Sequence, residues 1–199
     1  MPGRNSRSTF DHLADVCRGV IPGESVINQF GRNTSVGTSS FEDIWYGGGE
    51  YLGFLTSASR VRVAAGGNAQ DSPGGTGCHT VRVFGLDENF LMIDEIITTN
   101  GTSASDYTQL SFMRVYRVQA NDMDSYGGTT AGDITIENEG GVVMSVIESG
   151  AGKSEQSIFT VPAGNCALLH DVYLECDNSA GKSFDYQTVS YTHLRAHET

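Results

Sequence analysis

The sequence predicts an all-β fold: an antiparallel β-sandwich of the jelly-roll or immunoglobulin-like kind, preceded by an extended N-terminal arm. From Ser59 onward, segments in which polar and apolar residues alternate recur about every ten residues, with turn-forming residues between them. The 199 residues include 25 glycines, which disfavour helices and supply turns. Helical features are confined to a short stretch near the N-terminus.

The chain divides into three parts, of which the last, residues 189–199, is considered separately below. Residues 1–58 are predicted to form an arm that ends in a docking strip rich in glycine and aromatic residues, and residues 59–188 to form the sandwich. Within the arm, residues 10–20 predict one or two helical turns, ended by Gly19 and Pro22. The triple glycine at 47–49 argues against a helix in the strip, because glycine loses much backbone entropy on ordering.

Eight or nine segments have strand patterns. The clearest alternation places two valines on one face of a strand and Thr80, Arg82 and Phe84 on the other. The apolar phase shifts near Met113, which predicts a bulge. The predicted strands are residues 60–63, 79–85, 90–99, 110–119, 133–137, 142–147, 157–161, 167–175 and a last one that begins at 184.

Two turns are predicted from their residue types. Asn100-Gly101, the strongest short signal for a hairpin turn, closes the predicted strand of residues 90–99. Pro162-Ala-Gly-Asn165 predicts a turn in which proline sets φ and glycine takes a positive φ.

Residues 189–199 read Val-Ser-Tyr-Thr-His-Leu-Arg-Ala-His-Glu-Thr and resemble one translated frame of the transposon-end adapter used in shotgun sequencing libraries. Such a segment is left out of reasoning about the fold. We therefore expect a gene assembled from environmental or community DNA and a different natural C-terminus. The alternative is a genuine polar tail, in which case His193 and His197 return to consideration.

The formal net charge of −12, with Lys153 and Lys182 as the lysines, argues against two classes of partner. Nucleic acids and anionic membranes both need Lys and Arg to neutralise phosphates. No apolar run approaches the ~20 residues that span a bilayer. Asp11 and His12 interrupt any apolar region of a signal peptide, so export by that route is not expected.

The cysteines and histidines form no recognisable metal or disulfide motif. In a chain without a signal peptide, scattered cysteines are more often free thiols, although Cys166 and Cys176 could meet across a strand pair. His12, His79 and His170 are too far apart for a zinc motif. The four cysteines are Cys17, Cys78, Cys166 and Cys176.

The sequence contains no complete catalytic or cofactor-binding motif. Gly150-Ala-Gly-Lys-Ser154 resembles the end of a phosphate-binding loop, but Ile147 stands where the first glycine is needed and a strand-like run follows. No Gly-x-Ser-x-Gly elbow is present. We expect neither enzymatic activity nor a cofactor. Three loop acids leave two interpretations open, a surface Ca²⁺ or solvated carboxylates: Asp122, Asp124 and Asp133.

The aromatic residues of the strip are the candidate interaction residues. Aromatic side chains in an extended segment bury a large area against a neighbouring subunit. The alternative is that they pack on the chain's own sandwich, and the sequence does not decide between the two. The candidates are Phe30, Trp45, Tyr46, Tyr51 and Phe54.

Several blocks resemble a family of virion-associated proteins of tailed bacteriophages, common in short-tailed phages of marine and fresh water. They begin with Phe30-Gly-Arg-Asn and Glu42-Asp-Ile-Trp-Tyr-Gly-Gly-Gly. The departures are Cys78-His79, where the family more usually has Ala-Arg, and Asn165 in place of Lys. The later blocks are Gly75-Thr-Gly-Cys-His-Thr-Val-Arg-Val-Phe-Gly-Leu-Asp-Glu-Asn, Asp94-Glu-Ile-Ile-Thr-Thr-Asn-Gly-Thr, Phe112-Met-Arg-Val-Tyr-Arg-Val, Gly132-Asp-Ile-Thr-Ile and Phe159-Thr-Val-Pro-Ala-Gly-Asn-Cys-Ala-Leu-Leu.

The resemblance implies a structural protein of the virion, made in the host cytoplasm. A capsid-associated role, as a decoration or head-fibre-like protein, is favoured slightly over a tail or neck component. The implied partners are other virion proteins of a capsid or tail lattice and further copies of the chain. The alternative from another class is a module that binds carbohydrate on the host surface.

Overall fold

The computed structural model describes residues 12–37, 40–124, 128–176 and 185–190. The described chain is all-β with two antiparallel sheets, so the predicted fold class is confirmed. A single described helix, α1 (His12–Cys17), lies within the predicted helical stretch, and Gly19 follows it with φ 69°. The described strands are β1 (Ser59–Val63), β2 (Cys78–Leu86), β3 (Met92–Thr98), β4 (Ser111–Phe112), β5 (Arg114–Met123), β6 (Ile134–Asn138) and β7 (Val143–Ile147).

One sheet has the strand order β4-β1-β6-β7 and the other the order β3-β2-β5. All of these pairings are antiparallel. The main hydrophobic core lies between the two sheets, where alternate residues from both meet. Its buried members are Val61, Val63, Cys78, Val81, Val83, Ile97, Phe112, Val115, Val118, Ile134, Ile136, Met144 and Ile147.

The predicted hairpin at Asn100-Gly101 is wrong. Gly101 does take a positive φ of 63°, but β3 and β4 belong to different sheets. The reason is that the intervening chain pairs with β1: the N–H of Ser105 donates to Val63 O at 3.0 Å, and the N–H of Thr108 donates to Val61 O at 2.8 Å. The turn therefore carries the chain from one sheet to the other.

The shift in apolar phase at Met113 corresponds to a break between two strands. It separates β4 from β5, and the N–H of Met113 donates to Leu86 O at 2.7 Å. The pairing of β2 with β5 also changes register between Phe84 and Gly85. These irregularities decide which side chains of β5 share a face with those of β2.

Two predicted strands, residues 157–161 and 167–175, are not strands in the structure. The first packs as an irregular segment: the N–H of Ser157 donates to Ile44 O, and the ring of Phe159 lies 5.6 Å from that of Tyr116. Among the described residues the second has no neighbouring strand to complete a ladder, and strand propensity depends on such neighbours. Residues 185–190 of the last predicted strand are also irregular, and Phe184 lies outside the described residues.

The predicted turn before residues 167–175 is present. The N–H of Asn165 donates to Pro162 O at 3.2 Å, and Gly164 has φ 77°. The N–H of Ala163 donates to Phe90 O at 2.9 Å. This contact places the turn beside the loop that joins β2 to β3.

Candidate functional site: two interaction surfaces

The strip before β1 packs on the sandwich through a second, smaller core. Trp45 and Tyr51 are 5% and 3% exposed, and their rings meet edge to face at 5.2 Å. The Tyr51 hydroxyl lies 3.0 Å from Met144 O and 3.3 Å from Val115 O. Burial raises the pKa of Tyr51 above its ordinary value. The two largest aromatics of the strip therefore hold it to both sheets.

Two glycines allow this close packing. A Cβ at Gly47 would overlap the indole of Trp45, and a Cβ at Gly53 would overlap the ring of Tyr51. The glycines of the strip thus make room for aromatic rings, a role that composition alone does not reveal.

Two glutamine amides tie the strip to the sandwich. Gln29 Nε2 donates to Tyr116 O at 2.8 Å and lies 3.0 Å from Gln156 O. Gln156 is 2% exposed; its Nε2 donates to Val115 O at 2.9 Å and its Oε1 accepts from the Ser145 hydroxyl at 2.6 Å. Sequence reasoning missed both glutamines, because an isolated polar residue carries no pattern.

The five predicted interaction residues fall into two groups. Trp45 and Tyr51 are buried within the chain's own fold, and Tyr46 is half-buried with Arg32 above its ring at 5.8 Å. Phe30 is 62% exposed and Phe54 is 38% exposed. The structure brings four of the five together, because Tyr46 packs against the core of Trp45 and Tyr51, and Phe54 meets Tyr51 edge to face at 5.2 Å. Phe30 lies instead against the ammonium of Lys153, at 5.0 Å.

A second surface lies on the side of sheet β3-β2-β5 that is turned away from the main core. We call it the arginine–phenylalanine face: Arg82, Phe84, Arg114 and Arg117, with Phe54 and Phe90 over Arg114. The guanidinium groups of Arg82 and Arg117 lie 5.0 and 4.4 Å from the ring centre of Phe84, within cation–π range. Arg82 also pairs with Asp94 at 2.8 Å, which lowers the pKa of that carboxyl.

Arg114 is the unusual member of this face. It is 5% exposed, and Nη1 donates to the carbonyl oxygens of Leu55 and Met113 at 2.7 and 2.8 Å. Its guanidinium lies between Phe54 and Phe90, at 5.4 and 5.5 Å from their ring centres. Burial lowers the pKa of Arg114 from its ordinary value.

Arg114 has no acidic partner among the described residues. Its Nε is buried without any hydrogen-bond partner, and no carboxylate of the described chain forms an ion pair with it. Removing a cation from water costs several kcal/mol unless an anion or a full set of acceptors compensates. Two carbonyls and two rings supply only part of that compensation.

Exposed apolar side chains lie close in sequence to the two phenylalanines that flank Arg114. Leu91 and Met92 follow Phe90 directly and are 53% and 63% exposed. Leu52 precedes Phe54 by two residues and is 65% exposed. Large exposed apolar side chains that cluster are typical of interaction sites.

Only part of the arginine–phenylalanine face could be predicted from the sequence. Alternation correctly placed Arg82 and Phe84 on one side of β2. The position of Arg114 was not predictable, because the register shift between Phe84 and Gly85, which leaves Tyr116 without a partner on β2, puts Arg114 opposite Leu86. An odd spacing of three separates Arg114 from Arg117, and regular alternation would put them on opposite faces.

The acidic and thiol groups serve structural roles where their contacts are described. Asp71 is 3% exposed and accepts the N–H groups of Cys78, Ala131 and Gly132 at 2.8, 2.9 and 2.8 Å. Cys78 is buried, which raises the pKa of its thiol to about 11, while the other three cysteines are exposed and none forms a disulfide. Asp133, one of the three acids considered for Ca²⁺, accepts the N–H of Ser149 at 2.8 Å.

In the described part of the chain, no three His, Cys, Asp or Glu side chains lie close enough to hold a metal ion. No helix among these residues has the length and apolar character to cross a membrane.

Three comparisons with known proteins complete the description. Neither the family profiles nor the curated protein sequences contain a match to this chain, and no solved structure matches it. The functional argument therefore depends on the residues themselves.

Proposed function

We propose that the chain is a non-enzymatic structural protein of a tailed bacteriophage virion, associated with the capsid as a decoration or head-fibre-like protein. The observation that carries the proposal is the resemblance from Gln29 to Tyr173, in order and spacing, to virion-associated phage proteins. The β-sandwich is compatible with this role, because a rigid sandwich presents surfaces for docking without any catalytic machinery.

The blocks that carry the resemblance supply structural devices of this fold. Asn33 of the first block donates to Glu42 of the second at 3.1 Å, and Trp45 of the second fills the smaller core. Asp87, from the long block around β2, accepts the N–H groups of Asn89 and Leu91, each at 2.8 Å. Recurrence of such blocks is expected in a family that shares an architecture, and it supports a structural role more than a catalytic one.

In this proposal the protein acts by binding the capsid and other copies of itself through surfaces that become buried on contact. The exposed Phe30 and Phe54 and the arginine–phenylalanine face are the surfaces available for contacts with the capsid and with other copies. A tail or neck location uses the same chemistry and is the alternative within the class.

The direct test uses antibodies raised against the recombinant chain. Virus particles are purified by density from the environmental sample that contains the gene, then labelled with immunogold and digested for mass spectrometry. We expect peptides of this chain in the particle fraction and gold on heads. Gold on tails would move the protein to the alternative location, and absence from particles rich in the phage's major capsid protein would refute the virion role.

Host-glycan binding is the second candidate, and one observation favours it. Phe84 lies between Arg82 and Arg117, beside the carboxylate of Asp94, which gives an aromatic ring next to polar hydrogen-bonding groups. Trp45 offers no such platform, because it is 5% exposed. A glycan array probed with the wild-type chain and with Phe84→Ala tests it: binding that Phe84→Ala abolishes supports the candidate, and an array without signal rejects it.

A further inference from the structure

We propose that the free edge of β3 (Met92–Thr98) pairs with the same edge of a second copy of this chain, antiparallel and across a two-fold axis. The β3-β2-β5 sheets of the two copies would then form one continuous sheet. The inference goes beyond the proposed virion role and stands whether or not the protein belongs to a virion.

One edge of β3 has no strand partner among the described residues, because β3 ends the strand order β3-β2-β5. The N–H of Thr99 donates to His79 O at 3.0 Å, and the N–H of Asp87 donates to Leu91 O at 2.9 Å. Odd-numbered residues here therefore point their backbone groups toward β2. Since such groups alternate along a strand, the even-numbered residues of β3 point theirs away from β2, where no other described element uses them. These residues are Met92, Asp94, Ile96 and Thr98.

β3 lacks the features that usually protect an edge strand from pairing. Natural sheets protect such edges with bulges, proline, lysine or other charged side chains. β3 contains neither proline nor lysine, and it pairs with β2 residue for residue, without a bulge. Its outward side chains include Met92 and Ile96, which are 63% and 51% exposed. A groove lies between residues 95–98 and residues 106–108, so this neighbouring segment leaves the edge uncovered.

The two acidic side chains of β3 are already engaged within the chain. Asp94 Oδ2 lies 2.8 Å from Arg82 Nε. Glu95 accepts the N–H of Gln109 at 2.8 Å through Oε1 and the N–H of Leu110 at 2.9 Å through Oε2. The free edge therefore carries little uncompensated charge. Although the chain has a formal net charge of −12, two copies can approach at this edge with little repulsion.

Charge also selects one register for the pair. A two-fold axis at Asp94 or at Glu95 would place that carboxylate opposite its own copy, which is unfavourable. An axis at Ile96 avoids this, because Asp94 then lies opposite Thr98 of the second copy. Glu95 lies opposite Ile97 of the second copy. Axes nearer either end of β3 pair fewer of its residues, whereas the axis at Ile96 allows about six backbone hydrogen bonds between the copies.

A second copy is the occupant for reasons of symmetry. A strand that adds to this edge must bring its own row of unpaired N–H and C=O groups, and β3 has such a row. A two-fold axis makes two identical edges antiparallel, which is the direction of the pairings already present in the sheet. Closed two-fold contacts of this kind are the commonest in homo-oligomers.

The first experiment is sedimentation velocity of the full chain from about 1 to about 100 µM, a range that covers ordinary reversible dimers. We expect a dimer whose dissociation constant Ile96→Lys raises at least tenfold, because the two lysines would face each other on the axis. Val36→Lys is the matched control. Val36 is also β-branched, is 62% exposed and lies outside β3, so this change should leave the dimer unchanged.

The second experiment identifies the register. Cys17, Cys166 and Cys176 are changed to Ser, and Ile96→Cys or Met92→Cys is then introduced under mild oxidation. The Cα atoms at position 96 would lie about 5.5 Å apart, within reach of a disulfide, whereas those at position 92 would lie about 27 Å apart. We expect a disulfide-linked dimer for Ile96→Cys and none for Met92→Cys. This variant keeps a small apolar side chain, so it tests the contact even where Ile96→Lys fails to fold.

Hydrogen exchange distinguishes edge pairing from other contacts between copies. Raising the concentration should slow exchange at the amides that point away from β2 and leave the odd-numbered amides of β3 unchanged. A monomer at every concentration, a dimer insensitive to Ile96→Lys, or equal cross-linking of the two cysteine variants would each overturn the proposal. A dimer in which the outward amides still exchange freely would do the same. These amides belong to Asp94, Ile96 and Thr98.

Discussion

The buried carboxylate of Asp71 connects backbone segments that lie far apart in the sequence. Its carboxylate joins the loop before β2 to the segment before β6, some 60 residues later in the chain, through three backbone N–H groups. Its own carbonyl accepts the N–H of Gly101 at 2.8 Å, so the crossing between the sheets is tied to the same point. Without the carboxylate, three N–H groups near the core would lose their acceptor.

The first prediction concerns this residue. Asp71→Ala should lower the free energy of unfolding by about 3 kcal/mol, because the cost of each unsatisfied buried donor is on the order of 1 kcal/mol or more. Asp71→Asn should cost less, since one oxygen remains to accept. Urea unfolding followed by circular dichroism measures both. The exposed Asp106→Asn serves as the control, and equal stability of Asp71→Ala and wild type would contradict the structural role.

The second prediction concerns thiol reactivity. Cys78 is fully buried and its thiol has a pKa raised to about 11, whereas Cys17, Cys166 and Cys176 are exposed. Because the thiolate is the reactive form, a folded sample at pH 8 should react quickly with a thiol reagent at the three exposed cysteines. Cys78 should react only after denaturant is added. Fast labelling of Cys78, mapped by peptide mass, would show that β2 opens or lies elsewhere.

At the scale of elements, the sequence predicted strands wherever the structure provides a strand partner. The alternation in residues 79–85 and the interruption at Met113 both correspond to observed features. Residues 157–161 and 167–175 have equally good patterns, yet neither forms a ladder. A periodic pattern records which side chains can be buried together, whereas a strand also needs a neighbouring backbone, and that neighbour is set by topology.

The strip was predictable as extended but not as a packed layer. Its attachment depends on ring packing against glycine and on the amides of Gln29 and Gln156, which lie 127 residues apart in sequence. No local pattern encodes such a contact. Trp45, Tyr46, Tyr51 and Phe54 pack in or against the smaller core, whereas the predicted contacts with a neighbouring subunit stay a prediction.

The third prediction tests the strip as a packed element. Gly47→Ala should destabilise the chain by about 2 kcal/mol, because the new methyl group overlaps the indole of Trp45 and overpacking typically costs 1–3 kcal/mol. Gly74→Ala is a matched control: a Cβ there meets nothing within 4 Å and φ is not positive. Thermal unfolding measures the difference. The fluorescence of Trp45, the one tryptophan of the chain, should shift to the red if the indole is displaced.

The formal net charge of the whole molecule is −12, but its charged side chains are unevenly distributed over the surface. Three of the arginines gather on one face of one sheet, and only Arg82 has an acidic partner there among the described ion pairs. The prediction from net charge, that the protein has no general affinity for polyanions, stays a prediction. Net charge does not describe this local surface, which depends on how the strands are aligned.

The fourth prediction is a loss of stability at alkaline pH. The pKa of Cys78 rises from 9.0 to about 11 on folding, so the folded state holds its proton more tightly than the unfolded state. The corresponding stability is fully present below pH 9 and is lost between pH 9 and about pH 11. Tyr51, whose pKa burial also raises, adds to the loss above pH 10. Urea midpoints measured across this range should fall, and Cys78→Ala should remove the slope between pH 9 and 10.

The docking of the strip also has a consequence for synthesis on the ribosome. Gln29 and Trp45 are made early, but their partners at Ile158 and Gln156 emerge more than 100 residues later. Until then the apolar rings of the strip have nothing to cover them, and exposed apolar segments of incomplete chains are prone to aggregate. The strip is therefore translated long before residues 156–158, but it reaches its final position only after those residues have left the exit tunnel.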